Sequence, residues 1–144
     1  MSCGTISSAR NQLSGKISQL TTGAVNTEVI LDLGSGQAIT AIITNASAKG
    51  LGLAVGQEAL ALIKASWIIV TTQKTLKTSA RNQFAGKIKE VKTGAVNSEV
   101  IIDLPSGQSL AAIITNESAT HLGLKAGVEA IALIKASHVI IAIN

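Results

Sequence analysis

The chain has 144 residues and a net charge of +4, and 47% of its residues are hydrophobic, yet Trp67 and Phe84 are its only aromatic side chains. This length allows one domain or two small ones, and the core must be built from Val, Ile, Leu and Ala. The single cysteine, Cys3, excludes an intrachain disulfide and a cysteine-based metal cluster.

Compartment and membrane association are predicted from the same composition. The first ten residues lack a hydrophobic signal core. The most apolar run, residues 59–70, is broken by Lys64 and Ser66 and is too short to span a bilayer. We therefore expect a cytoplasmic protein that has no membrane partner.

An internal repeat organises the whole chain. The segment Ser8-Ala9-Arg10-Asn11-Gln12 returns unchanged 71 positions later as Ser79-Ala80-Arg81-Asn82-Gln83. Residues 8–69 align with 79–140 without a gap, and about two-thirds of the positions are identical. Two copies of so long a period indicate a duplicated domain rather than a solenoid. We predict a first domain over residues 1–71 and a second over residues 72–144, with a polar linker at about 72–78.

Apolar residues alternate with polar ones through most of each copy. In the first copy this pattern predicts five short strands, over residues 13–20, 28–33, 38–44, 58–64 and 67–71. Residues 45–51 are the only helix-like piece; Ser47 can cap its start and Gly52 can end it. A small helix between the third and fourth of five strands favours an all-β fold of two tandem OB-like five-stranded β-barrels, each with one short helix.

Three polar clusters recur in both copies: Ser8 with Arg10, Thr44 with Ser47, and Lys64 with Ser66. Binding a tetrahedral oxyanion requires such cations and hydroxyls, together with free backbone N–H groups. None of the clusters contains an acidic residue, which would repel a dianion. The predicted oxyanion-binding residues are Ser8, Ala9, Arg10, Asn11, Thr44, Ser47, Lys64, Ala65 and Ser66 in the first copy, and Ser79, Ala80, Arg81, Asn82, Thr115, Ser118, Lys135, Ala136 and Ser137 in the second.

Each cluster also has an ordinary structural explanation. Arg10 can be a surface arginine, the Thr44 and Ser47 pair can cap a helix, and Lys64 can extend to water from a strand end. The repeated Gly-Ala-Val-Asn segment can be a plain turn, or its N–H groups can form a nest for a second anion. That possible second site comprises Val25, Asn26, Val96 and Asn97.

The repeated Ser-Ala-Arg-Asn-Gln-x-x-Gly-x-Ile segment resembles the molbindins, the Mop-type (TOBE-like) molybdate-binding domains. The Gly-Ala-Val-Asn, Leu-Gly-Leu and Leu-Ile-Lys-Ala-Ser segments strengthen this resemblance, which covers nearly the whole chain twice. It implies a cytoplasmic tandem molbindin that binds molybdate or tungstate in a homo-oligomer of three chains. It also implies that the motif serine and arginine meet the Thr-x-x-Ser pair and the lysine of a neighbouring subdomain.

Two other functions compete with oxyanion storage. A single-stranded nucleic-acid-binding OB protein needs aromatic stacking platforms along a basic groove, and two unrepeated aromatics argue against it. An enzyme acting on a phosphorylated or sulfated substrate needs a base and a nucleophile. The sequence contains no Ser-His-Asp, metal-ligand or P-loop pattern, so we expect a non-catalytic protein with no nucleic-acid partner.

Overall fold

The computed structural model of the protein describes residues 7–144, and each sequence copy forms five strands and one short helix. The first copy comprises β1 (Asn11–Thr22), β2 (Asn26–Gly34), β3 (Gln37–Thr44), α1 (Asn45–Gly50), β4 (Glu58–Ile63) and β5 (Ile69–Thr71). The second comprises β6 (Asn82–Thr93), β7 (Asn97–Asp103), β8 (Ser109–Thr115), α2 (Asn116–His121), β9 (Glu129–Ile134) and β10 (Ile140–Ala142). A 3₁₀ turn precedes each last strand, at Ala65–Trp67 and Ala136–His138.

The two five-stranded sheets exchange their last strands. One sheet has the order β10-β4-β1-β2-β3 and the other β5-β9-β6-β7-β8. Thus Ile140 of the second copy pairs with Leu62 of the first, and Ile69 of the first pairs with Leu133 of the second. The predicted all-β architecture with five strands and one short helix per copy is confirmed, and each sheet takes its fifth strand from the other copy.

The physical reason for this exchange lies in the sequence symmetry. Both copies carry the same apolar pattern at the fourth and fifth strands, so either fifth strand satisfies either fourth strand equally well. A three-residue strand forms few hydrogen bonds and therefore has little pairing energy of its own. After the 3₁₀ turn, β5 pairs with the fourth strand that lies along the direction in which the chain leaves the turn. Because β5 leaves its own copy, the linker starts from the second sheet.

Each sheet curls until its two edges approach each other. In the first sheet, β10 and the 3₁₀ turn Ala136–His138 pack against β3, and in the second, β8 packs against β5 and the turn Ala65–Trp67. The core inside is aliphatic, as composition required, with Phe84 as its buried aromatic. The largest fully buried side chains are Leu13, Ile17, Leu31, Ile39, Ile63, Ile88, Ile102, Leu110 and Ile134.

Candidate functional site at the junction of the two copies

The register between β1 and β4 fixes the positions of two predicted ligands. Asn11 at the start of β1 pairs with Ile63 at the end of β4. Arg10 and Lys64 are the next residues outward, so they leave the sheet side by side, and both are exposed. The resemblance implied a lysine from a neighbouring subdomain; within this chain, arginine and lysine of the same copy lie together.

Asn11 anchors the predicted motif to the other copy. Its side-chain amide donates to the carbonyl oxygens of Ile63 (3.2 Å) and Ala111 (2.9 Å), and its oxygen accepts from the Ala111 N–H (2.6 Å). Asn82 forms the equivalent pair of hydrogen bonds with Thr40. Both asparagines are buried, and their side-chain amides hold the two copies together at the junction.

The motif alanines have different surroundings. The N–H of Ala9 donates to the Ser7 hydroxyl, and that of Ala80 to the Thr78 hydroxyl, so both N–H groups already have acceptors. Ala65 and Ala136 are buried within their 3₁₀ turns, whereas Ser66 and Ser137 beside them are exposed.

The Thr-x-x-Ser pair lies at the start of each helix. Thr44 is the N-cap of α1: its hydroxyl accepts from the Ser47 N–H (3.1 Å) and donates to the Ser47 hydroxyl (2.8 Å). Thr115 and Ser118 repeat this arrangement at α2 with the same distances. The cap residue is therefore the threonine, not Ser47 as we expected, and all four side chains remain exposed.

A groove of about 620 Å³ joins hydroxyls from the two copies. Thr44 and Ser47 line one side of it, and Ser137 of the second copy lines the other, above an apolar floor. Lys135 lies two residues before Ser137, at the end of β9, which pairs with the start of β6 beside Arg81. The strand exchange therefore brings the Thr-x-x-Ser pair of one copy to Ser137 of the other.

Carboxylates enter the site from the other copy, which the sequence did not suggest. Arg10 forms an ion pair with Glu99 on β7, and the Arg81 Nη2 lies 2.8 Å from a carboxylate oxygen of Glu28 on β2. The clusters themselves contain no acidic residue, as the sequence shows, but Glu28 and Glu99, which lie far from the motif in sequence, approach its arginines in the fold. The sequence held one signal for these ion pairs: Glu28 and Glu99 occupy equivalent positions of the two copies, as Arg10 and Arg81 do.

The lysine of the first copy lies over an aromatic ring. Lys64 Nζ is 5.7 Å from the centroid of Trp67, a cation–π distance, and the Trp67 ring packs on His138 with centroids 4.9 Å apart. Trp67 and His138 occupy equivalent positions of the two copies, so this contact joins the same position of one copy to that of the other. Nδ1 of His138 is buried there without a hydrogen-bond partner among the described residues.

The Gly-Ala-Val-Asn segments form ordinary turns. The Gly23 N–H donates to the Asn26 carbonyl (2.8 Å), and the Asn45 side chain donates to the Gly23 carbonyl (3.0 Å). A nest requires a left-handed residue beside a right-handed one, and none of the described residues Gly23–Asn26 or Gly94–Asn97 has a positive φ. Val25 and Val96 are 72% and 71% exposed, so the backbone fits the plain turn of the two alternatives that the sequence left open, and a second anion site at Val25, Asn26, Val96 and Asn97 stays a prediction.

Membrane-spanning helices and clusters of metal ligands are both absent from residues 7–144. No helix in this range has the length and apolar character needed to cross a membrane. Within the same range, no three His, Cys, Asp or Glu side chains are grouped as metal ligands would be.

Comparison with known proteins identifies the repeats. The TOBE domain model matches residues 7–70 and 78–141. The chain is 45% identical over 136 residues to the molybdenum transport protein ModE of Azotobacter vinelandii, and 46% identical over 136 residues to the molybdenum-pterin-binding protein MopA of Rhodobacter capsulatus. These alignments cover 94% of the chain, and the chain spans about half the length of both relatives.

A solved structure is similar over both copies. It is the cytoplasmic molybdate-binding protein ModG in a molybdate-bound crystal form, with a TM-score of 0.93 and 42% sequence identity. The match covers 97% of this chain and 100% of that one. The fold and the tandem arrangement are therefore shared with a protein solved with molybdate bound.

Proposed function

The chain belongs to the TOBE-domain family, and on this premise we propose that it binds molybdate, or the similar tungstate, as a free oxyanion. Its role is storage and homeostasis of that anion in the cytoplasm, without catalysis. The similarity to the molybdate-bound ModG structure, 42% identical across both copies, supports this choice of ligand.

One observation supports the proposal above the others: the strand exchange gathers donors from both copies at each junction. Thr44 and Ser47 share a groove with Ser137, and Lys135 and Arg81 adjoin the paired residues Ile134 and Asn82 of the copy that supplies Ser137. Hydroxyl, ammonium and guanidinium groups surround a tetrahedral oxyanion with hydrogen bonds and positive charge. The repeat relates this junction to a second one built on Arg10, Lys64, Ser66, Thr115 and Ser118.

These donors are exposed in the single chain, so we propose that neighbouring chains enclose them. Four exposed apolar side chains recur at equivalent positions: Val25 and Val96 at the turns, and Ile69 and Ile140 on the exchanged strands. Apolar groups at repeated surface positions favour association between chains. A homotrimer, which contains six copies of the repeat, is the assembly we propose.

Nucleic-acid binding has less support. Phe84 is buried in the core, and the Trp67 ring already packs on His138 and lies below Lys64. Neither ring forms a platform of the kind that stacking on bases requires.

Titration calorimetry with molybdate, tungstate and sulfate tests the function. We expect saturable binding of the first two and weaker binding of sulfate, because a fixed ring of donors fits the smaller anion less well. Trp67 is the sole tryptophan and lies below Lys64. Its fluorescence therefore provides a second readout of anion binding. Equal affinities for sulfate and molybdate would contradict a site matched in size, and sedimentation as a stable monomer would contradict the trimer.

A further inference from the structure

Each motif arginine, Arg10 or Arg81, has a carboxylate partner from the opposite copy. Arg10 before β1 pairs with Glu99 on β7, and Arg81 before β6 pairs with Glu28 on β2. Both pairs cross the junction that the strand exchange creates, and the repeat relates one pair to the other. Glu99 also lies 3.9 Å from Nζ of Lys92, and the motif arginine is the partner that both carboxylates have in common.

The two members of each pair differ in exposure. The side chains of Glu28 and Glu99 are only 28% and 14% exposed, whereas those of Arg81 and Arg10 are 48% and 53% exposed. Each contact is made through Nη2. Because a guanidinium carries five N–H donors, other donors of each arginine can bind a second partner. The carboxylates lie on their strands and are mostly covered, while about half of each arginine side chain stays exposed and open to a further partner.

We propose that Glu28 and Glu99 are built-in counter-ions of the oxyanion sites. Each carboxylate neutralises its arginine in the unliganded protein, and an arriving dianion competes with it for the guanidinium. This inference rests on the proposed function, since it assigns two residues that tune the affinity of the same sites. The carboxylates need not touch the anion; they act through the arginines.

Elementary electrostatics gives the direction of the effect. A carboxylate beside the arginine lowers the positive potential that attracts a dianion and occupies one hydrogen-bonding edge of the guanidinium. Replacing Glu by Gln removes the negative charge but keeps the length of the side chain and an acceptor oxygen. Such a variant frees the arginine electrostatically without opening a cavity on β2 or β7.

The experiment measures molybdate affinity of the assembled protein by calorimetry for wild type, Glu28→Gln, Glu99→Gln and the double variant. We expect the double variant to bind about three- to tenfold more tightly, the range set by one surface charge close to the ligand. Glu58→Gln is the matched control, because it makes the same charge change at the start of β4, the end opposite Lys64. The control should leave the affinity within about twofold, since a distant exposed charge is screened by salt.

A double-mutant cycle separates this role from general electrostatics. If Glu99 acts through Arg10, then Glu99→Gln should change the affinity little once Arg10→Gln is present. The same cycle applies to Glu28 and Arg81. Full tightening in the absence of the arginine would overturn the inference.

The outcomes distinguish the inference from the function on which it rests. Wild type that binds no molybdate would overturn both. Wild type that binds while the glutamine variants bind equally well or more weakly would overturn the counter-ions alone. Tighter binding in the variants and not in Glu58→Gln is the expected result.

Discussion

Asn11 and Ala111, 100 positions apart in the sequence, exchange two hydrogen bonds: the side-chain amide of Asn11 donates to the Ala111 carbonyl, and its oxygen accepts from the Ala111 N–H. The buried Asn11 amide bonds to the backbone of β8 with one donor and one acceptor, as a neighbouring strand would. It joins the start of β1 in one sheet to β8 in the other. The two copies are therefore held together by side-chain hydrogen bonds as well as by the exchanged strands.

Replacing Asn11 by Ala should destabilise the protein, because the buried N–H and C=O of Ala111 lose their partner. Leaving a buried polar group unsatisfied costs roughly 1–3 kcal/mol in the free energy of unfolding. Urea denaturation measures this value, and Asn82→Ala should give a similar loss. The control is Gln19→Ala, an exposed amide on the same strand, for which we expect a change within about 0.5 kcal/mol. Equal stability of the Asn11 and Gln19 variants would contradict the anchoring role.

Replacing Arg10 or Arg81 by Ala should weaken molybdate binding while the fold survives. A hydrogen bond to a charged group contributes roughly 1.5–3 kcal/mol, so the sites that each arginine serves should lose about 10- to 100-fold in affinity. Lysine should restore only part of the loss, because it lacks the planar fork. Equilibrium dialysis gives stoichiometry and affinity, and Lys16→Ala on β1 controls for net charge. Unaltered binding by the Arg10→Ala/Arg81→Ala protein would remove both arginines from the site.

The Thr44 and Ser47 pair allows capping and ligand binding to be separated. Thr44→Val removes the hydroxyl that accepts from the Ser47 N–H and should cost about 1 kcal/mol of stability. Ser47→Ala keeps that capping bond and removes an exposed hydroxyl together with the hydrogen bond it accepts from Thr44, so it should lower molybdate affinity with a smaller change in stability than Thr44→Val. Thermal unfolding and calorimetry on both variants check this division. Loss of stability without loss of affinity in Ser47→Ala would indicate a structural role alone.

Gly15 and Gly86 are required by a close approach between strands. A β-carbon at Gly15 would overlap the carbonyl oxygen of Asp32, and one at Gly86 that of Asp103. We expect Gly15→Ala to destabilise the protein by roughly 1–3 kcal/mol, because backbone must move to relieve the overlap. Gly50→Ala is the matched control, since nothing lies within 4 Å of its β-carbon position and alanine favours helices. Denaturation midpoints that shift equally in both variants would contradict the steric explanation.

The Lys74–Glu129 ion pair predicts a local pH dependence. Its hydrogen bond and charge hold the pKa of the Glu129 carboxyl below the ordinary value of 4.5. A lowered folded-state pKa stabilises the protein above the unfolded pKa, and that contribution is lost as the pH falls through the folded one. Lys74→Met should raise the Glu129 pKa, as NMR titration can measure, whereas Lys87→Met should raise it less. A larger shift in the Lys87 variant would contradict this ranking of causes.

The sequence alone determined the parts that depend on local pattern. Period-two alternation located the strands, although β1 begins at Asn11 rather than residue 13, because the Asn11 amide extends the pairing. The Asn45–Gly50 helix followed from its flanking polar and glycine residues, and the gapless repeat predicted two copies of one β-rich unit. These features survive in the structure because each is set by a few neighbouring residues.

Only the tertiary structure decided which copy supplies each strand and each charge. Because the two copies have the same apolar pattern, the sequence does not tell whether β5 or β10 pairs with a given fourth strand. Only the three-dimensional structure shows that the two strands are exchanged. That exchange places Ser137 beside Thr44, and Glu99 beside Arg10, pairs that no spacing in the sequence connects. Periodicity encodes which face of a strand is buried, whereas its partners depend on long-range packing between copies.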